Sequence, residues 1–217
     1  MTTDTIVVMA RYPQPGAVKT RLARAIGADA ACALYAAFLA DLHAMLRTAA
    51  WPVVWAVTPP ASDFSALLGH PIRQITQRGD ALAARMRQAF ADVFNAGAPR
   101  VMMLGADAPH IGTAQLDAAW TALDAADCVL MPTRDGGYCL IALAAPYDLF
   151  SGIEMGTARV LDDTLALAHR LGARTVQLPA TFDVDEVADL HALIALIEDG
   201  AVSLPHTQAA YRAVERR

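Results

Sequence analysis

Short apolar runs alternate along the chain with longer stretches in which apolar residues recur every three or four positions. Thr5–Met9, Val53–Val57, Ile72–Thr76, Val101–Leu104, Cys128–Met131, Tyr138–Leu143 and Thr175–Leu178 have the length and apolar content of strands. Arg21–Ala25, Ala30–Arg47, Ala81–Phe94, Ala114–Leu123, Ala158–Leu171 and Val187–Ile197 carry the helical period. In the second of these Leu34, Phe38, Leu42 and Met45 share a face, and in the third Leu82, Met86, Phe90 and Val93 do. Thr113 is placed to cap the fourth helix, and Gly172 to end the fifth. The segment after Gly200 is weakly patterned and reads as a peripheral helix or a tail.

Strands that alternate with helices predict βαβ units, and so an α/β fold with a mostly parallel sheet covered on both faces. Arg134-Asp135-Gly136-Gly137 sits between two closely spaced strands and predicts one antiparallel hairpin within that sheet. No repeat or linker divides residues 1–217, which read as a single domain. In such sheets ligands bind beyond the carboxyl ends of the strands, so the loops after Met9, Leu104, Met131 and Leu178 are where chemistry is expected.

Composition narrows the partners. The formal net charge is −5 and no basic block occurs, which argues against nucleic acid and anionic membranes. The first apolar run lacks a basic flank and is too short for a leader or a membrane span, so a cytoplasmic protein is expected. Cys32, Cys128 and Cys139 are three and widely spaced, and suit buried apolar positions better than disulfides or zinc.

In so acidic a chain, the cations after the first strand stand out. Ala10-Arg11-Tyr12-Pro13-Gln14-Pro15-Gly16-Ala17-Val18-Lys19-Thr20-Arg21 holds three cations, two stiffening prolines and a permissive glycine, and it leads into a helix. Arg11, Lys19 and Arg21 can neutralise a di- or triphosphate, although Val18 stands where a Walker A loop needs glycine. Asp107, in Gly105-Ala106-Asp107-Ala108-Pro109, follows a buried strand, where a carboxylate can hold Mg2+ or Mn2+ against phosphate oxygens or cap the next turn. Asp135-Gly136-Gly137-Tyr138 is a hairpin turn that also leaves room for a sugar or another polyol. In Phe182-Asp183-Val184-Asp185, the last acid is either a helix cap or a second metal ligand. Gln77-Arg78-Gly79-Asp80 leads to Arg85, on a solvated face or toward a phosphate or base. Of six histidines only His110 lies near this set.

Taken in order, these motifs resemble the DUF2064 family of GT-A-type nucleotide-diphospho-sugar transferases, often described as glycosyltransferases associated with radical-SAM or arsenosugar gene neighbourhoods. The matching residues are Ala10-Arg11-Tyr12-Pro13, Pro15-Gly16, Lys19-Thr20-Arg21-Leu22, Gly105 with Asp107 and Pro109, Asp135-Gly136-Gly137-Tyr138, and Asp183-Val184-Asp185 with Asp189-Leu190. The chain departs from the family at Ala83-Ala84, Ala106, Ala108 and Met155-Gly156-Thr157, mostly on the acceptor side.

The resemblance implies a GT-A-like three-layer α/β/α sandwich. It implies that Ala10, Arg11, Gly16, Lys19, Thr20, Arg21, Gly79 and Arg85 contact the nucleotide, and that Asp135, Gly136, Gly137 and Tyr138 line the sugar or acceptor pocket. Asp107 and Asp185 would hold Mg2+ or Mn2+, with Asp107 and Lys19 indispensable to catalysis. The leading expectation is a metal-dependent glycosyltransferase using a nucleotide-sugar donor; the runner-up is a nucleotidyltransferase joining a nucleoside triphosphate to a small phosphorylated or carboxylated acceptor with release of pyrophosphate, and the third reading is a nucleotide-binding module without turnover.

Overall fold

The computed structural model describes residues 3–216. Seven strands form one sheet: β1 (Thr5–Arg11), β2 (Val53–Thr58), β3 (Arg73–Thr76), β4 (Val101–Gly105), β5 (Cys128–Pro132), β6 (Tyr138–Leu143) and β7 (Thr175–Gln177). Their order is β3-β2-β1-β4-β6-β5-β7. Only β6 runs against its neighbours, pairing antiparallel with β4 and β5, and this is the hairpin that the Gly-Gly turn predicts. The other pairs are parallel.

Among the described residues, eight helices cover the sheet: α1 (Thr20–Ile26), α2 (Ala28–Leu46), α3 (Phe64–Leu68), α4 (Leu82–Asn95), α5 (Thr113–Leu123), α6 (Val160–Arg170), α7 (Val187–Glu198) and α8 (Pro205–Glu215). On one face Leu22 of α1, Leu34 and Phe38 of α2, Leu116 of α5 and Leu190 of α7 pack against Ile6, Val8, Leu104 and Val129 of the strands. On the other, Met86, Phe90 and Val93 of α4 and Ala168 of α6 pack against Val7, Met103 and Ile141. The result is a three-layer α/β/α sandwich with the strands buried from both sides.

Some expectations need correction. Leu82 leaves the apolar face of α4 and is 48% exposed at the sheet's carboxyl edge. Gly112, not Thr113, precedes α5, and the Gln115 side chain accepts its N–H at 3.0 Å. The short helix α3, capped by the Asp63 carboxylate, has no counterpart in the sequence reading. Of the two readings of the segment after Gly200 the helix holds: α8 packs on α2, where the buried Asp41 carboxylate accepts the N–H groups of His206 at 3.0 Å and Thr207 at 2.8 Å. Helix α2, with 19 residues, is long and apolar enough to cross a membrane, but its apolar side chains are in the core.

Candidate functional site

The first loop delivers Lys19 to the carboxyl edge of the sheet. Lys19 precedes α1 in a left-handed conformation (φ 47°), uncommon for a residue with a side chain, and this turns its stem inward. The side chain is only 3% exposed. Its ammonium contacts the Asp107 carboxylate, lies 3.0 Å from Asp185 Oδ1 and sits 5.8 Å from the centre of the Tyr35 ring. Burial alone lowers its pKa; the two carboxylates outweigh burial and hold it above the ordinary lysine value. Arg21 extends the pairing, with Nη1 3.6 Å from Asp185 Oδ2.

A non-local bond aligns the acids. The Val184 N–H donates to the Asp107 carbonyl at 2.9 Å and binds the Phe182–Asp185 segment to the loop after β4. Phe182 and Val184 enter the core, which leaves Asp183 and Asp185 on the opposite side. Asp185, expected as a metal ligand, is engaged by Lys19 and Arg21. Asp183 lines the same cavity as Asp107, and its Oδ1 is sealed from solvent with no hydrogen-bond partner. Burial, reinforced by Asp107, Asp135 and Asp185, pushes the Asp183 pKa up to about 7, against the opposing pull of Lys19. Among the described residues no three His, Cys, Asp or Glu side chains converge as a metal cage.

The cavity shared by Asp107 and Asp183 has a volume of ≈ 450 Å³. It also receives Ala10, Arg11, Arg85, Asp135, Gly137 and Tyr138 from the sequence expectations. A recess of ≈ 260 Å³ adjoins it through Arg11, Tyr35 and Asp107, and holds Lys19, Thr20 and Arg21.

Other expected residues do different work. Gly16 is exposed and lines neither space, its φ of 77° serving the turn. Gly79, at φ 127°, offers its carbonyl to Arg85 Nε at 2.9 Å and so braces the arginine rather than lining the cavity. Gly136 faces α6: a Cβ there would lie 2.1 Å from the Ala158 oxygen, and its carbonyl accepts the Leu161 N–H at 2.9 Å. Asp135 keeps one oxygen on Thr133 Oγ1 (2.6 Å) and the Gly137 N–H (3.0 Å), closing the hairpin turn. The Tyr138 ring borders the cavity, but its hydroxyl is buried away from it and its pKa is pushed up to about 12. His110 stacks on Phe182 at 4.4 Å and bonds Thr181 Oγ1 at 2.6 Å; burial, then Arg134, lowers its pKa to about 4, leaving it a neutral packing residue.

Three site residues have no assigned role in the sequence reading. Tyr35 belongs to the buried stripe of α2, and its hydroxyl accepts the Arg11 N–H at 3.1 Å. The Gln77 amide donates to the carbonyls of Ala10 (3.1 Å) and Ala56 (2.8 Å), stitching the ends of β1 and β2 to the end of β3. Asp183 is the third; a DxD spacing marks both acids but not which one meets Asp107.

The fold that carries this site has counterparts among known proteins. A Desulfovibrio desulfuricans G20 protein, provisionally named a nucleotide-diphospho-sugar transferase, is 31% identical, with a TM-score of 0.89 over 100% of this chain and 98% of that one. The fold alone is shared with the 4-diphosphocytidyl-2C-methyl-D-erythritol synthase of Anaerococcus prevotii DSM 20548, at 10% identity, TM-score 0.59, and 91% and 99% coverage. It is likewise shared with a nucleotidyl transferase from Methanothermobacter thermautotrophicus, at 16% identity, TM-score 0.60, and 88% and 95% coverage. No curated protein matches the sequence. Residues 39–157 match the family described as uncharacterised proteins conserved in bacteria, and with that match over more than half its length the chain belongs to DUF2064, on a fold of the GT-A nucleotide-diphospho-sugar transferase type.

Proposed function

We propose that this protein is a metal-dependent glycosyltransferase that uses a nucleotide-sugar donor. A transferase acting on a nucleotide substrate has the support of the relative provisionally named a nucleotide-diphospho-sugar transferase, 31% identical over the whole chain. One observation carries the finer reading: Lys19, Arg11 and Arg21 converge with Asp107 and Asp183 at the carboxyl edge of the sheet.

The residues present fit a divalent cation. Asp107 is half exposed beside Asp183, whose sealed Oδ1 has no protein donor, and two carboxylates suit Mg2+ or Mn2+, which complete their shells with water and phosphate. In this reading Asp183 takes the place expected of Asp185, which pairs with Lys19 and Arg21. When bound, the metal would neutralise charge on the leaving diphosphate. Arg11, Lys19 and Arg21 would bind the phosphates, Tyr35 and Gln77 would hold the loop backbone, and Asp135 would offer its free oxygen to a hydroxyl. Rate would come from positioning and electrostatics.

The acids at this edge also bear on the runner-up. Two of the three loop cations already face carboxylates, which leaves less net positive charge for a triphosphate than the sequence suggests. The deciding experiment incubates the protein and Mn2+ with a panel of nucleotide-sugars and, separately, nucleoside triphosphates. Release of nucleoside diphosphate that stops in Asp107→Asn is the expected result. Pyrophosphate release would establish nucleotidyl transfer instead, and nucleotide binding without turnover of any donor would leave the non-catalytic module.

A further inference from the structure

The ≈ 450 Å³ cavity is two-sided. Its charged members stand at the sheet edge, but it also runs beneath β4 and β6 toward α4 and α6, where Met86, Met103, Ile141, Met155 and Val160 line it. Polar side chains on that side are either paired already or closed off from the cavity. The Tyr138 hydroxyl is sealed from the cavity, and Cys139 Sγ donates to the Met131 carbonyl at 3.7 Å. Thr157 Oγ1 donates to the Glu154 carbonyl at 3.1 Å and accepts the Arg159 N–H at 3.4 Å. A polyol seated here would give up its bonds to water and find no replacements.

Gly105 adds an independent observation. It stands level with Met9 in the β1–β4 register and lines the cavity. Its φ lies outside the left-handed region, and a Cβ there would meet nothing closer than the Cys139 oxygen at 3.7 Å. Neither backbone conformation nor packing requires a glycine; the missing side chain leaves the cavity floor open. On the opposite side the Gln77 amide nitrogen is held by the Ala10 and Ala56 carbonyls, and its oxygen is left as an acceptor.

We infer that the acceptor is amphiphilic, with a polar reacting end at the carboxylate edge and an aliphatic or aromatic body seated between α4 and α6. This rests on the transferase reading and names the class of its second substrate. The test uses primary alcohols from ethanol to octanol, with glycerol as the polyol, titrated into the full chain by calorimetry. A buried methylene is worth about 0.8 kcal/mol, so affinity should rise about 4-fold per added carbon until the space is filled. Gly105→Leu should flatten the series from butanol upward, and Met155→Gln, at a half-buried position, should weaken octanol about 10-fold while glycerol is unchanged. Affinity independent of chain length, or glycerol binding as well as butanol, overturns the inference. So does displacement of octanol by a free nucleoside, which would make this the base pocket. A separate titration with nucleoside diphosphates tests the underlying reading: failure there leaves the alcohol series intact, and failure of the series leaves nucleotide binding intact.

Discussion

Replacing Lys19 with methionine should make the protein bind Mn2+ more tightly in the absence of nucleotide. The ammonium occupies the position a metal would need: it contacts Asp107, and its side chain is 3% exposed. At its 3.0 Å separation from Asp185, an effective dielectric of 20 gives a gross attraction of about 5 kcal/mol. Asp107 and Asp185 are 45% and 41% exposed, and the buried ammonium has lost its hydration, so most of that attraction is offset. A net hold of about 1–2 kcal/mol per carboxylate remains. A cation arriving at Asp107 must displace it, so Lys19→Met should lower the Mn2+ dissociation constant about 5- to 30-fold.

Nucleoside diphosphate binding should weaken in the same variant, since a phosphate partner is lost. In the wild type, nucleotide should therefore strengthen Mn2+ binding both through its own phosphate oxygens and by drawing Lys19 away from Asp107, and in the variant the coupling should shrink to the first of these. The Asp183 pKa, already about 7, rises further without the lysine charge, so titrations followed by the electron paramagnetic resonance of free Mn2+ belong at pH 8.5 or above. Equal or weaker Mn2+ binding by a folded Lys19→Met protein would refute the argument, because Lys19 would then not compete for the carboxylate.

Other perturbations test the frame around the site. Gly136→Ala combines φ 87° with a Cβ 2.1 Å from the Ala158 oxygen and should cost about 3 kcal/mol or more, lowering Tm by about 6–12 °C in calorimetry. Gly137→Ala, which meets only side-chain oxygens at 3.3 Å, should cost under about 1 kcal/mol. Asp183 takes up its proton more readily when folded, with a pKa of about 7 against 3.8, so its stabilising contribution is complete below pH 4 and lost as pH rises to 7. Asp183→Asn should therefore raise urea stability by roughly 2–4 kcal/mol at pH 8 and by little at pH 4. Asp41→Ala removes the acceptor for two N–H groups at the start of α8, and hydrogen exchange should speed up across residues 205–216 with other helices unchanged.

The sequence made the scaffold legible because the relevant signals are local. A buried strand needs four or five successive apolar residues, and Ile6–Met9 or Val101–Leu104 supply them whatever else the chain does. Strand order then places the loops after β1 and β4 side by side at the carboxyl edge. What the sequence hides depends on register across distance. Asp183 and Asp185 alternate with buried Phe182 and Val184, so a pattern reading correctly puts both acids on one side. Which of them reaches the cavity and which serves Lys19 depends on the bond from Val184 to Asp107, and no local pattern encodes that pairing. Gly136 and Gly137 look equivalent until α6 is laid against the first. Tyr35 looks like core until its hydroxyl meets the Arg11 N–H. The lysine and its positioning aspartate are 166 residues apart, joined only when the segment before α7 returns to the first loop. Chemistry built on such closures should be lost before the sheet unfolds, since the few bonds that align Lys19, Asp107 and Asp183 are far weaker together than the two apolar faces that hold the strands.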